Sequence, residues 1–254
     1  MLSSTDNPAP KTNPPLVGKT ILITGGARRI GRSFSIACAA AGADIILTHA
    51  HSPVEAGKVQ QEIQRLGRRA WIIQADFSNA EQAISVIRRA TEQGPLFGLI
   101  NNAAIFAPVR LSETSLASWE EHLRINLTAP FLLSQGFAAA LQPGEKGRIV
   151  NILDWRAIRP GRDHFPYTIS KAGLAALTRS LALSLAPAIT VNGLALGAIL
   201  PPAGEDFDPQ LVKRVPAQRW AALQEVDQAL LFLLTGPEYI TGEIIHVDGG
   251  RHLV

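Results

Sequence analysis

The sequence predicts a doubly wound α/β domain built on a seven-stranded, mostly parallel sheet, and three observations carry that prediction. Short apolar runs alternate with amphipathic stretches along almost the whole chain. A glycine-rich turn, "ITGGARRIG", directly follows the first run. The length of 254 residues, 46% of them hydrophobic, allows one large core.

In order, the strands are "TILIT", "DIILTH", "AWIIQA", "LFGLINNAA", "GRIVNIL", "AITVNGLAL" and "GEIIHVDGG". The helices between them are "IGRSFSIACAAAG", "PVEAGKVQQEIQRLG", "NAEQAISVIRRATEQ", "ASWEEHLRINLTAPFLLSQGFAAAL", a segment from near Tyr167 to Ala186, and one around Glu225 to Leu234. Strands separated by helices call for parallel pairing through crossovers. Such a sheet binds ligands beyond the carboxyl ends of its strands, where strand order reverses. Residues 1–16, "MLSSTDNPAPKTNPPL", read as a disordered Pro-rich tail, and 17–254 as one domain. The tail has no charged start followed by an apolar block, so it is not a secretory signal.

Composition narrows the function classes. The single Cys38 excludes an intrachain disulfide and suits a reducing, cytoplasmic setting. The net charge is +3, but no Lys/Arg run interleaves with aromatics as a nucleic-acid groove requires. The uncharged stretch 181–204 is broken by Pro187, Gly193, Gly197, Pro201 and Pro202, so it is not read as a membrane span.

The strand ends hold the candidate chemistry. Gly25, Gly26 and Gly31 stand where a pyrophosphate approaches backbone amides at a helix N-terminus. After the second strand, "LTHAHSP" offers no carboxylate for a ribose diol before Glu55. His49, His51 and Ser52, with Arg28, instead provide donors and positive charge suited to a 2′-phosphate, which points to NADPH; a solvated loop is the alternative. No carboxylate or cysteine lies beside the two histidines, so no metal site is expected. Asp76 in "QADFS" can meet an adenine amine, and Asn101 to Ala104 can pass under the cofactor. Asn126 is unfavourable inside a helix and is either functional or a satisfied buried amide. Tyr167 and Lys171, four residues apart, share a helix face, close enough for an ammonium to act on a phenol. Asp154, thirteen residues before Tyr167, either works against that pair's usual chemistry or merely caps a turn.

The glycine turn, "NNAA", Asn126, Tyr167 with Lys171, and "YITGEIIHVDGG" together resemble the short-chain dehydrogenase/reductase family over residues 17–254. Arg29 in the turn, Phe106 after "NNAAI", Asp154 at the usual catalytic serine, and "HAHS" resemble its pteridine and dihydromonapterin reductases. The resemblance implies a single-domain Rossmann fold, a homotetramer and a pterin-like substrate. It makes Tyr167 the proton donor, Lys171 the group that lowers its pKa and holds the nicotinamide ribose, and Asn126 the anchor of a water chain. Asp154 joins them at the catalytic centre. Gly25, Arg28, Arg29, Ile30, Gly31, His49, His51, Ser52, Asp76, Phe77, Asn102, Ala103 and Gly197 fall at cofactor positions. Phe106 would stack on the pterin, with Arg29 at its polar edge. His51 and Ala104 depart from the parasite-type pattern of arginine and serine.

An acceptor beside Tyr167 disfavours ketones, because charge grows on their oxygen during hydride transfer. Reduction of a ring C=N bond tolerates it, since the nitrogen takes a proton. The sequence leaves two alternatives open: a general carbonyl reductase with Asp154 protonated, and a noncatalytic dinucleotide sensor.

Overall fold

The computed structural model describes residues 14–201, 204 and 206–254. Seven strands form one sheet: β1 (Thr20–Ile23), β2 (Asp44–His49), β3 (Ala70–Gln74), β4 (Gly98–Asn101), β5 (Gly147–Asp154), β6 (Ile189–Leu196) and β7 (Ile244–Val247). Every pairing is parallel, in the order β3-β2-β1-β4-β5-β6-β7. The order reverses between β1 and β4, so a crevice opens past their carboxyl ends.

Seven α-helices connect the strands: α1 (Arg29–Ala40), α2 (Pro53–Arg65), α3 (Ala80–Thr91), α4 (Leu116–Leu123), α5 (Ala129–Ala140), α6 (Phe165–Leu185) and α7 (Leu223–Thr235). Local chemistry sets several of their starts. Pro53 opens α2, where its missing N–H costs nothing, and Asn79 caps α3 by accepting from the Glu81 N–H at 2.9 Å.

Strand side chains alternate between two cores, one on each sheet face. Ile21, Ile23, Ile45, Leu47, Val150 and Ile152 face one core with Phe34 of α1 and Leu230 of α7. Leu22, Ile46, Leu99 and Ile149 face the other with Val86 of α3 and Phe137 of α5. Burial of each such side chain contributes about 1.5–3 kcal/mol, which holds the strand ends in fixed register. Cys38 is buried in the first core, and burial pushes its thiol pKa up.

Three differences from the expected elements bear on the site. The stretch expected as one helix over 117–141 is interrupted by a π-turn, Arg124–Thr128, around Asn126. β5 runs one residue further than expected and delivers Asp154 at its last position. Leu16, assigned to the tail, is buried in the first core; residues 1–13 lie outside the described residues. Among the described residues, no helix is long and apolar enough to cross a membrane.

Candidate active site

The strand ends bring Asp154, Tyr167, Lys171, Asn126 and Phe106 to one place. Asp154 ends β5, and Tyr167 and Lys171 lie in the first two turns of α6, both buried. The Tyr167 hydroxyl donates to Asp154 Oδ2 at 3.2 Å. The other carboxyl oxygen accepts from the Arg156 N–H at 2.8 Å and so caps the short turn Trp155–Ala157. Asp154 thus makes both contacts at once: one oxygen caps the turn, and the other meets the phenol. In each of these contacts the carboxyl group accepts.

Lys171 Nζ donates to the Ile152 carbonyl at 2.7 Å and lies 5.8 Å from the Tyr167 ring centroid. Burial lowers its pKa from 10.5 to about 8. Burial, reinforced by Asp154, pushes the Tyr167 phenol well above its ordinary range. The lowering expected from Lys171 is not among the influences on the phenol: burial and Asp154 raise its pKa, and the cation that opposes them is Arg156.

Asn126 is fully buried and fully used. Its Oδ1 accepts from the Ile105 N–H at 2.9 Å, and its Nδ2 donates to the Ile105 carbonyl and to Ser170 Oγ. Ser170 in turn donates to the Tyr167 carbonyl. Asn126 thereby ties the segment after β4, which carries Phe106, to α6. Phe106 sits edge-on to Tyr167, ring centroids 4.7 Å apart. The His164 ring stacks against it at 3.9 Å and 14°, the Arg156 guanidinium lies 5.6 Å from its centroid, and the Phe106 side chain remains partly exposed.

The glycine turn is closed by Thr24, whose hydroxyl accepts from the Asn102 and Ala103 N–H groups. The Asn102 amide donates to the Thr24 and Gly25 carbonyls. Gly25 has φ +63°, and a Cβ on Gly31 would stand 2.1 Å from the Gly25 carbonyl oxygen. The turn is therefore a cradle that admits backbone alone. Ile30 packs on the first core, and Phe77 is a core side chain, so only the Phe77 backbone can face a ligand. Gly197 permits the close approach of Asp248 behind β6. Arg29, at φ +53°, donates from its guanidinium to the Pro201 carbonyl and ties the turn to the segment after β6.

Two open clefts flank the crevice. One, about 330 Å³, is lined by Ala27, Arg28, Arg29, Arg32, Glu55 and Lys58. The other, about 490 Å³, is lined by Ala50, His51, Gln74, Asp76, Gln82 and Arg89. Asp76 is held ionised below its usual range, first by the Ser78 N–H, and lies 3.9 Å from His51. The role foreseen for His49 needs correction. It is buried, and its Nδ1 accepts from the Ser52 N–H at 3.4 Å, so it shapes the loop from inside.

A family model described as enoyl-(acyl carrier protein) reductase matches residues 25–252. The chain belongs to the short-chain dehydrogenase/reductase family. As a member, it is an NAD(P)-dependent reductase. The chain is 34% identical over 247 residues to the 3-oxoacyl-[acyl-carrier-protein] reductase FabG of Aquifex aeolicus, covering 92% of this chain and 98% of that one. Its fold is similar to FolM alternative dihydrofolate reductase 1 from Brucella canis complexed with NADP, at TM-score 0.87 and 34% identity, covering 93% and 95%. It is equally similar, at TM-score 0.87 and 36% identity, to a blue fluorescent protein from a metagenomic library in complex with NADPH, covering 94% and 99%.

Several residues that complete this short-chain reductase site were not foreseen. Arg156 links Asp154 at 3.6 Å to Asp163 at 3.0 Å, and Asp163 meets His164 at 2.9 Å. Burial lowers the His164 pKa. The charge density of "WRAIRPGRDH" next to Asp154 was the available signal. Thr24 gave none, because a threonine ending a strand is ordinary β-sequence.

Proposed function

We propose that the protein is an NADPH-dependent reductase that transfers hydride to a C=N bond of a dihydropterin. The observation that carries this reading is Asp154, whose carboxyl group accepts from both Tyr167 and Arg156 beside the exposed ring of Phe106. An acceptor there repels the oxyanion of a ketone under reduction. The same acceptor suits an N–H-rich heterocycle, which offers donors to it.

NADPH fits the residues present: the glycine cradle admits a pyrophosphate, and the cleft of Arg28, Arg29, Arg32 and Lys58 favours a 2′-phosphate. When bound, it supplies the hydride. Tyr167 supplies the proton to the ring nitrogen. Asp154 orients the phenol, and the exposed part of the Phe106 ring offers a surface to a planar ligand. Lys171 and Asn126 hold α6 in register with these groups. Exposed Leu116, Phe131, Ile169 and Leu183 fit assembly into a homotetramer, which light scattering checks.

A second reading, reduction of a 3-oxoacyl thioester, is favoured by the curated relatives. The rate of NADPH oxidation with dihydrobiopterin, dihydromonapterin and dihydrofolate, beside acetoacetyl-CoA and simple ketones, separates the two. Asp154→Ser is expected to lose on the order of 10²-fold with dihydropterins and to gain with ketones. Full dihydropterin activity in that variant, with no gain on ketones, sinks the account of Asp154.

A further inference from the structure

We infer that Arg251 binds an anionic group of the substrate, a carboxylate or phosphate carried at a distance from the bond that is reduced. The inference rests on the proposed function, which takes Asp154 and Tyr167 as the groups that meet the substrate. Arg251 opens the final short turn, Arg251–Leu253, directly after Gly249 and Gly250, both at positive φ. Asp248 pins that turn. Its carboxylate accepts from the Gly250 N–H at 2.9 Å, from the His252 N–H at 2.9 Å, and pairs with His252 Nδ1 at 2.8 Å. The backbone under Arg251 is therefore held in place, and its side chain reaches Trp155, the residue after Asp154. The guanidinium carbon lies 4.5 Å from a Trp155 ring centroid.

Trp155 also carries Arg156, at 4.8 Å, and Arg156 extends to Phe106 at 5.6 Å. The two arginines differ in what they have left to offer. Arg156 is 12% exposed and spent on Asp154 and Asp163. Arg251 is partly buried and, among the described residues, its side chain has no hydrogen bond and no carboxylate partner. Its charge is felt by Arg156, Asp154, Asp163 and Asp248, which places it in the same electrostatic neighbourhood as the reacting groups. By contrast Arg32, Arg69 and Arg219 each pair with a carboxylate. A planar guanidinium stacked on an indole keeps its N–H fork directed at its rim, a geometry that matches carboxylate or phosphate oxygens in pairs.

The test compares wild type with Arg251→Gln and Arg251→Lys on ligands that differ in charge. Dihydrofolate carries glutamate carboxylates, acetoacetyl-CoA carries phosphates, and dihydrobiopterin carries neither. Arg251→Gln is expected to raise KM for dihydrofolate at least 10-fold with kcat little changed and KM for dihydrobiopterin within 2-fold. Arg251→Lys recovers part of the loss, and added salt shrinks the wild-type advantage. A KM effect on acetoacetyl-CoA alone assigns the anion as phosphate, and one on dihydrofolate alone as carboxylate. If only acetoacetyl-CoA is turned over, the dihydropterin reading fails while Arg251 is judged on that substrate. If nothing is turned over, the same ranking is read as Kd from tryptophan quenching of NADP-loaded protein. Equal effects on charged and uncharged ligands, or none on either charged ligand, overturn the assignment.

Discussion

Tyr167 sits between two opposed influences, and their balance decides its chemistry. The Arg156 cation favours a phenolate, yet burial and Asp154 outweigh it and hold the proton on. Lys171 is affected by the same desolvation, which allows a test in the cofactor-free protein. Its folded pKa of about 8 lies below the ordinary 10.5. Between those values the unfolded chain keeps a proton that the folded chain has released, so stability rises with pH across that window. Urea unfolding of wild type and Lys171→Met at a series of pH values should show wild type gaining on the variant from about pH 8 to 10.5. The gain is on the order of 3 kcal/mol. A difference independent of pH would mean that Lys171 is not desolvated. At this scale Tyr167 and Lys171 were legible from their spacing, Asn126 from its poor fit to a helix and Asp154 from its charge near that pair, whereas Phe106 came only through the resemblance. His164 and Trp155 had no signal beyond the charge density of their segment, since their roles arise from a left-handed backbone at His164 (φ +54°) and from contacts across the chain.

Asn126 shows how an element, and not a side chain alone, builds the site. The π-turn Arg124–Thr128 widens the helix by one residue and leaves Asn126 facing Ile105 and Ser170. Asn126→Ala would strip the Ile105 N–H and carbonyl of buried partners, a loss of about 2–4 kcal/mol. Chemical denaturation measures that loss, and kcat should fall with it as Phe106 loosens from Tyr167. A variant with wild-type stability would show that Ile105 finds other partners. The strands and most helices were legible from periodicity because both sheet faces are covered and the apolar runs are unbroken. The π-turn was not, because "EEHLRINLTAPF" keeps a continuous helical pattern through it. The alternative reading of the Asn126 region as a satisfied buried amide describes its bonds correctly, and those bonds are what position the site.

At the scale of the molecule, an all-parallel sheet sends every strand's carboxyl end to one rim, and the reversal between β1 and β4 opens the crevice there. That much followed from the order of strands and helices in the sequence. Cofactor preference depends on charge along the rim, where Arg28, Arg29, Arg32 and Lys58 outnumber Glu55. NADPH at a hundred times its Kd should raise the unfolding free energy by about 2.7 kcal/mol, and NADH at the same concentration by less. Thermal unfolding with each nucleotide reads this directly, and Arg28→Ala with Lys58→Ala should bring the two shifts together. Equal shifts in wild type would remove the argument for a 2′-phosphate site. The turn Arg251–Leu253 carries a practical consequence. Because it lies against Trp155, with Leu253 and Val254 exposed beyond it, a purification handle joined after Val254 would emerge at the catalytic rim. A fusion joined after Val254 that altered substrate kinetics while leaving thermal unfolding unchanged would report steric crowding at this rim, not a damaged fold.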